Sequence, residues 1–321
     1  MVGAAYSDPA ASDQVVSEGA GGLVFFGEPD AGTGPTLSGQ MAALTSRARI
    51  VPFMATDEEG GGIARLANLV GALPWPRRMA EEWSTAEVTE QLATVGEAMR
   101  SLGMNMDLAP VLDTAPSTDT IDEENVRSFS EDGATAGAYG LAFMHGLSEG
   151  GIIPVVKHFP GLGHANGDTD TGPATDPPLS ELQSDDLIPF ADAISAHVPV
   201  VMMSNVTEPD WGTTPASMNP AAYEYLRHMG FTGVVITDSL DAGAISATGL
   251  DGAQACVKAV EAGADMGMIT TPTDYPGAVA GLEQAVSSGQ LSMAQVIRSV
   301  DRIITLKDSM LPAADAVTPP R

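Results

Sequence analysis

The chain is short of cysteine, of basic residues and of long apolar runs, and each shortage removes a class of protein. A single cysteine, Cys256, stands in 321 residues. Neither an internal disulfide framework nor a multi-cysteine metal site can be built from it. It falls in "AQACVKAVEAGAD", a helical pattern in which a small apolar thiol belongs in the core. Lys and Arg number 14 against 42 Asp and Glu, a formal net charge of −28. Such a surface repels phosphate backbones and anionic lipid, which excludes nucleic acid and membrane surfaces as partners. It suits solubility in a salty or extracellular setting. No apolar run approaches the ~18 residues of a spanning helix and no signal-peptide core is visible, so no membrane insertion is expected. The five histidines include no H-x-x-x-H or similar ligand pair, so no metal and no cofactor is expected.

What is present is a core-forming chain. Hydrophobic residues make up 44% of it, enough for one large domain and too many for global disorder. Short apolar, β-branched runs recur: Gly21–Gly27, Val51–Asp57, Met106–Asp113, Ile152–Phe159, Val198–Asn205, Thr232–Asp238 and Met266–Thr271. Continuous rather than alternating apolar runs suit strands buried on both faces of a parallel sheet. Helical patterns lie between them, at Leu37–Arg49, Glu81–Leu102, Thr135–Glu149, Asp185–His197 and Asp251–Ala264, several closed by a glycine stop. With "MVGAA" at the start as a truncated or irregular eighth strand, the pattern predicts a (β/α)8 TIM-type barrel. A doubly wound open sheet is the alternative, but no G-x-G-x-x-G follows the first strand. One barrel domain is expected over 1–310. The Pro- and Ala-rich 311–321 reads as a flexible tail after a helix near Met293–Ser309.

The strand exits carry the chemistry. Asp57, Asp113, Lys157, His158, Asn205 and Asp238 all close a strand, where barrel enzymes place their reacting groups. Asp238, in "GFTGVVITDSLDAG", is held by a rigid scaffold as a nucleophile must be, although a helix N-cap would use the same residue. Asp57, in "ATDEEGGGIARL", suits the hydroxyls of a sugar, with glycines that let backbone approach a ligand; a tight acidic turn is the alternative. Arg127, in "ENVRSFSEDG", can fork onto a carboxylate or a ligand oxygen. Lys157 and His158 end an otherwise apolar strand and open the loop "KHFPGLGHANGDTDTGPATD". That loop is rich in glycine but has no G-K-[ST], and its aspartates oppose a phosphate cradle.

"KHFPGLG", "DEEGGGIARL", "APVLD…RSFSED" and "GFTGVVITDSL" follow one another in the order that resembles family 3 glycoside hydrolases, particularly the single-domain β-N-acetylglucosaminidases of bacteria. The resemblance runs from Gly21 to about Asp265. It implies a barrel, a retaining mechanism without metal, and Asp238 as the nucleophile of a covalent glycosyl-enzyme. By motif it assigns Asp57, Arg127, Lys157 and His158 to the hydroxyls of the bound sugar, and it matches Arg65 to a further motif position. The expected activity is exo-hydrolysis of terminal β-linked sugars, N-acetyl-β-D-glucosaminides from cell-wall or chitin-derived fragments foremost. A β-glucosidase and a catalytically weak sugar-binding protein are the alternatives; a lyase would need a Schiff-base lysine or a metal. The same resemblance favours a secreted or cell-envelope location in a bacterium over the cytoplasm.

Two departures from the family pattern stand out. Gly62 replaces an arginine, so one sugar or peptide contact is expected to be absent. The family's K-H-F-P-G-[HL]-G is followed by four residues and D-[ST]-H, whose histidine is the acid/base. Here Asp168-Thr169-Asp170 fills that signature, and Asp170 takes the histidine's place. Asp170 can itself be the acid if burial or negative neighbours such as Asp168 raise its pKa. His164 can instead fold back to supply an imidazole, Asp168 can donate, or acid catalysis can have been lost. A carboxylate turned anionic would repel incoming phosphate, so water is the expected acceptor.

Overall fold

The computed structural model describes residues 1–116 and 126–310. Its centre is an 8-stranded parallel sheet in sequential order. The strands are β1 Val2–Ala5, β2 Gly22–Phe26, β3 Phe53–Thr56, β4 Met106–Asp107, β5 Ile153–Phe159, β6 Val200–Met203, β7 Val234–Ser239 and β8 Met266–Met268. The sheet closes on itself through a parallel bridge between Val2 and Ile269, with Gly3 N donating to Ile269 O at 2.9 Å. The expected barrel is therefore present. Its first strand is regular, since β1 pairs in unbroken register with β2 from Val2↔Leu23 to Ala5↔Phe26.

The apolar runs serve two cores at once. Because successive side chains leave a strand on opposite faces, each run alternates between the barrel interior and the helices. Val24, Phe53, Ala55, Ile153, Val155, Val200, Met202, Val234 and Ile236 fill the interior. Leu23, Phe25, Met54, Val156, Val201, Met203 and Val235 pack outward under the helical shell. That double burial is why the strands are apolar throughout.

The helical shell departs from expectation at one place. The pattern over Glu81–Leu102 is two helices, Pro76–Glu82 and Thr85–Ser101, broken at Trp83–Ser84. Ser84 stops the first and starts the second through a capping box. Glu87 N donates to its Oγ at 3.3 Å, and Ser84 N donates to Glu87 Oε2 at 2.7 Å. The expected tail at 311–321 lies outside the described residues.

The last helix, Met293–Met310, shuts the N-terminal end of the barrel. Leu306 packs on the interior core, and Lys307 Nζ donates to Gly21 O and Val51 O, just before β2 and β3. Asp265 ties the same helix down, accepting from Ser299 Oγ, Arg302, Arg227 and Val235 N. With that end covered by the helix, the barrel interior is reached from the C-terminal mouth. Cys256 is buried and free, as its helical pattern predicts. Among the described residues no helix is long and apolar enough to cross a membrane.

Candidate active site

The mouth holds a cavity of about 520 Å³. Leu108, Met202 and Met268 floor it, and all three belong to the interior core, so it ends blindly on packed hydrocarbon. Its walls bring together Asp57, Arg65, Arg127, Lys157, His158, Asp168, Asp170 and Asp238; of the residues singled out above, His164 and Asn205 are not among them.

Asp57 leaves β3 and is followed by a small hairpin, Glu58–Gly60 with Ile63–Ala64. The glycines there do not bring backbone up to a ligand. Gly61 has φ +58°, and a Cβ on it would fall 1.9 Å from Cδ2 of Trp75, so the turn is bare to let the indole pack. Gly62 lies under the same ring. The hairpin aims Glu59 inward, where it becomes the centre of a buried charge chain. Lys157 Nζ lies 2.8 Å from Asp57 Oδ1 and 2.6 Å from Glu59 Oε1. Arg127 forks onto the other side of Glu59, Nε to Oε2 at 2.8 Å and Nη2 to Oε1 at 2.9 Å. Burial opposes the charge on Glu59, but Lys157 and Arg127 overcome it and hold its carboxyl far below the usual range. Burial likewise disfavours the Lys157 ammonium, and Asp57 and Glu59 reverse that, so Lys157 stays charged.

His158 follows Lys157 across a cis peptide, and the register of β5 on β6 shifts at this point. Both side chains line the cavity. His158 Nδ1 sits 2.7 Å from Asp113 Oδ2, while Asp113 Oδ1 accepts from His158 N and Leu162 N. Asp113 is buried, which would raise its pKa, but His158 and these two N–H donors hold it below the ordinary value. The pairing fixes the imidazole with Nε2 as its free nitrogen. Glu59 and Asp113 are site residues that sequence reasoning left without a role. Asp113 was visible as a strand exit; Glu59 was visible only as the neighbour of Asp57. Asn205, another strand exit, turns to Ser239 O at 2.7 Å and does not line this cavity.

Asp238, near the end of β7, caps no helix. The next helix, Gly243–Ser246, has Ala242 at its N-cap, and Asp238 Oδ1 accepts the N–H of Ser239 at 2.7 Å. Facing it is the loop after β5. Asp170 lies at the cavity rim, and desolvation, then Asp238, then Asp168 push its carboxyl above the ordinary value, against His158 and Arg127. Asp168 accepts the N–H of Asp170 at 2.8 Å and so shapes the turn that presents it. His164 is turned elsewhere: its Nδ1 lies 2.8 Å from Asp186 Oδ1, and Thr114 Oγ1 donates to the same oxygen.

A closed parallel barrel whose C-terminal mouth holds a polar cavity lined by the carboxyl groups of Asp170 and Asp238 defines the class, a barrel enzyme of the glycoside-hydrolase type. The chain belongs to glycosyl hydrolase family 3, whose N-terminal domain matches residues 9–306. The β-hexosaminidase LpqI of Mycobacterium tuberculosis is 34% identical over 298 residues, 89% of this chain and 75% of the relative. A family 3 glycosyl hydrolase from Mycobacterium smegmatis superposes with a TM-score of 0.87 at 34% identity, covering 95% of this chain and 93% of the other. A family 3 β-N-acetylglucosaminidase from Paenibacillus has a TM-score of 0.85 at 29% identity, covering 96% of this chain and 60% of its own.

Proposed function

We propose that this glycoside hydrolase is a retaining exo-β-N-acetylglucosaminidase in which Asp238 is the nucleophile and Asp170 the acid/base. The observation that carries the assignment is that Asp170 and Asp238 share one cavity, with no ion pair to either among the described residues, while His164 is bound to Asp186 outside it. Asp238 attacks the anomeric carbon as Asp170 protonates the departing oxygen. Asp170, then anionic, takes a proton from the water that releases the sugar from Asp238. The two roles need different protonation states. Asp170 is an exposed residue at the rim, and desolvation there together with the neighbouring charges of Asp238 and Asp168 shifts it toward the protonated form.

Asp57, Lys157, Arg127, Arg65 and His158 hold the hydroxyls of the terminal sugar. The Glu59 chain keeps Lys157 and Arg127 charged and fixed before substrate arrives, so their orientation is set in advance. The blind floor admits a chain end and suits exo action. The N-acetyl preference rests on the hexosaminidase and acetylglucosaminidase names of the relatives.

The test compares aryl β-N-acetylglucosaminide with aryl β-glucoside, then traps the enzyme with a fluorosugar and maps the labelled peptide. Preference for the acetamido sugar and a label on Asp238 support the assignment. Preference for the glucoside would move the protein to the β-glucosidases. Sugar binding with no turnover of any aryl glycoside would leave a binding protein.

A further inference from the structure

The loop that carries Asp170 is seated on the segment that follows Asp238. Gly243 N donates to Asp170 O and Ala244 N to Thr169 O, both at 2.9 Å. Within the loop, Asp168 closes a turn by accepting Asp170 N on its side chain and Gly172 N on its backbone carbonyl, so 168–172 moves as a unit. The seat is itself fixed. Leu240 is fully buried and donates its N–H to Met268 O, and Asp241 Oδ2 accepts from Thr270 Oγ1 at 2.8 Å.

Gly243 lies in the first turn of a helix, outside the left-handed region that favours glycine, so any L-residue fits its backbone conformation. Only the loop objects to a side chain there. A Cβ on Gly243 would lie 2.5 Å from the carbonyl carbon of Thr171, 2.6 Å from its oxygen and 2.7 Å from Gly172 N. Those are backbone atoms, which cannot rotate away as a side chain can.

We propose that Gly243 is a positioning residue for acid catalysis: its bare Cα sets the height of the 168–172 turn, and so the placement of Asp170 over Asp238. This rests on Asp170 being the acid. A side chain at 243 lifts the turn, weakens the two backbone bonds and withdraws Asp170 from the leaving oxygen. The nucleophile and the sugar contacts stay where they are.

The experiment measures kcat/KM for Gly243→Ala, Gly243→Val and Asp170→Ala on aryl β-N-acetylglucosaminides whose phenols range from dinitrophenol to phenol. Departing dinitrophenolate needs no proton; phenolate does. The Gly243 variants should stay within about threefold of wild type on the dinitrophenyl substrate and lose about tenfold or more on the phenyl one, approaching Asp170→Ala. An equal loss on both substrates, or none on either, would overturn the positioning role. If Asp170→Ala is itself indifferent to the leaving group, the acid assignment fails first and the role of Gly243 with it. If Asp170→Ala is sensitive and the Gly243 variants are not, only the seat is refuted. Should Gly243→Val not fold, Gly243→Ala gives the same comparison with the smaller displacement.

Discussion

Nδ1 of His164 lies 2.8 Å from Oδ1 of Asp186, and His164 is absent from the lining of the cavity that Asp170 and Asp238 share. Asp186 precedes the helix Leu187–Ser195, so His164 pins the loop to the shell and not to the substrate. His164→Asn should therefore leave the dependence of kcat/KM on leaving-group acidity unchanged. Its effect should fall on stability. The hydrogen bond to Asp186 raises the pKa of His164 in the fold. The bond's contribution is thus complete below the ordinary imidazole value and fades as pH rises through the raised one. Thermal melts should show wild type losing its advantage over His164→Asn across that interval.

Glu59 should be the most costly single truncation at the site. It is 1% exposed and meets both Lys157 and Arg127. Removing it leaves two buried cations facing each other, so Glu59→Ala should cost about 3–5 kcal/mol in urea unfolding. Sugar binding should suffer as well, seen as a raised KM. Because the carboxyl of Glu59 is depressed in the fold, the stability it confers is present above the ordinary glutamate pKa and lost only on strong acidification.

Below the sugar contacts lies a pair with the opposite sign. Burial first pushes Glu58 and Asp107 each up to about 8, with Asp107 and Asp57 adding to it for Glu58 and Asp57 and Glu59 for Asp107, although Glu58 N donates to Asp107 Oδ1 at 2.9 Å. Asp107 Oδ2 and Glu58 Oε1 are buried with no hydrogen-bond partner among the described residues. A raised carboxyl stabilises the fold most below its unfolded pKa, and that contribution drains away as pH climbs to about 8. Asp107→Asn keeps an acceptor for Glu58 N and removes the titration. It should be near neutral at pH 5 and stabilising by about 1–3 kcal/mol at pH 9, read as a Tm difference between the two proteins.

The barrel was legible because burial on both strand faces leaves continuous apolar runs, and β1 was underrated only because "MVGAA" is short and rich in small residues. The helix break at Ser84 was written in S-T-A-E, a capping box hidden inside an unbroken amphipathic pattern. Asp238, Asp57, Lys157 and His158 were legible as polar residues ending apolar strands. Glu59 was not, since its partners Lys157 and Arg127 come from other parts of the chain and only the hairpin turn under Trp75 aims it inward. That Asp170 lines the cavity while His164 bonds Asp186 was not legible, because no local pattern encodes which way a glycine-rich loop faces.

The central claim is that Asp170 delivers and recovers the proton while Asp238 holds the sugar. The most direct test is azide rescue of Asp170→Ala on an aryl β-N-acetylglucosaminide with a good leaving group. Azide needs no general base, so it should accelerate turnover and yield the β-glycosyl azide, with retained configuration. An Asp170→Ala enzyme that turns over poor leaving groups at the wild-type rate, with no response to azide and no glycosyl azide formed, would contradict the account.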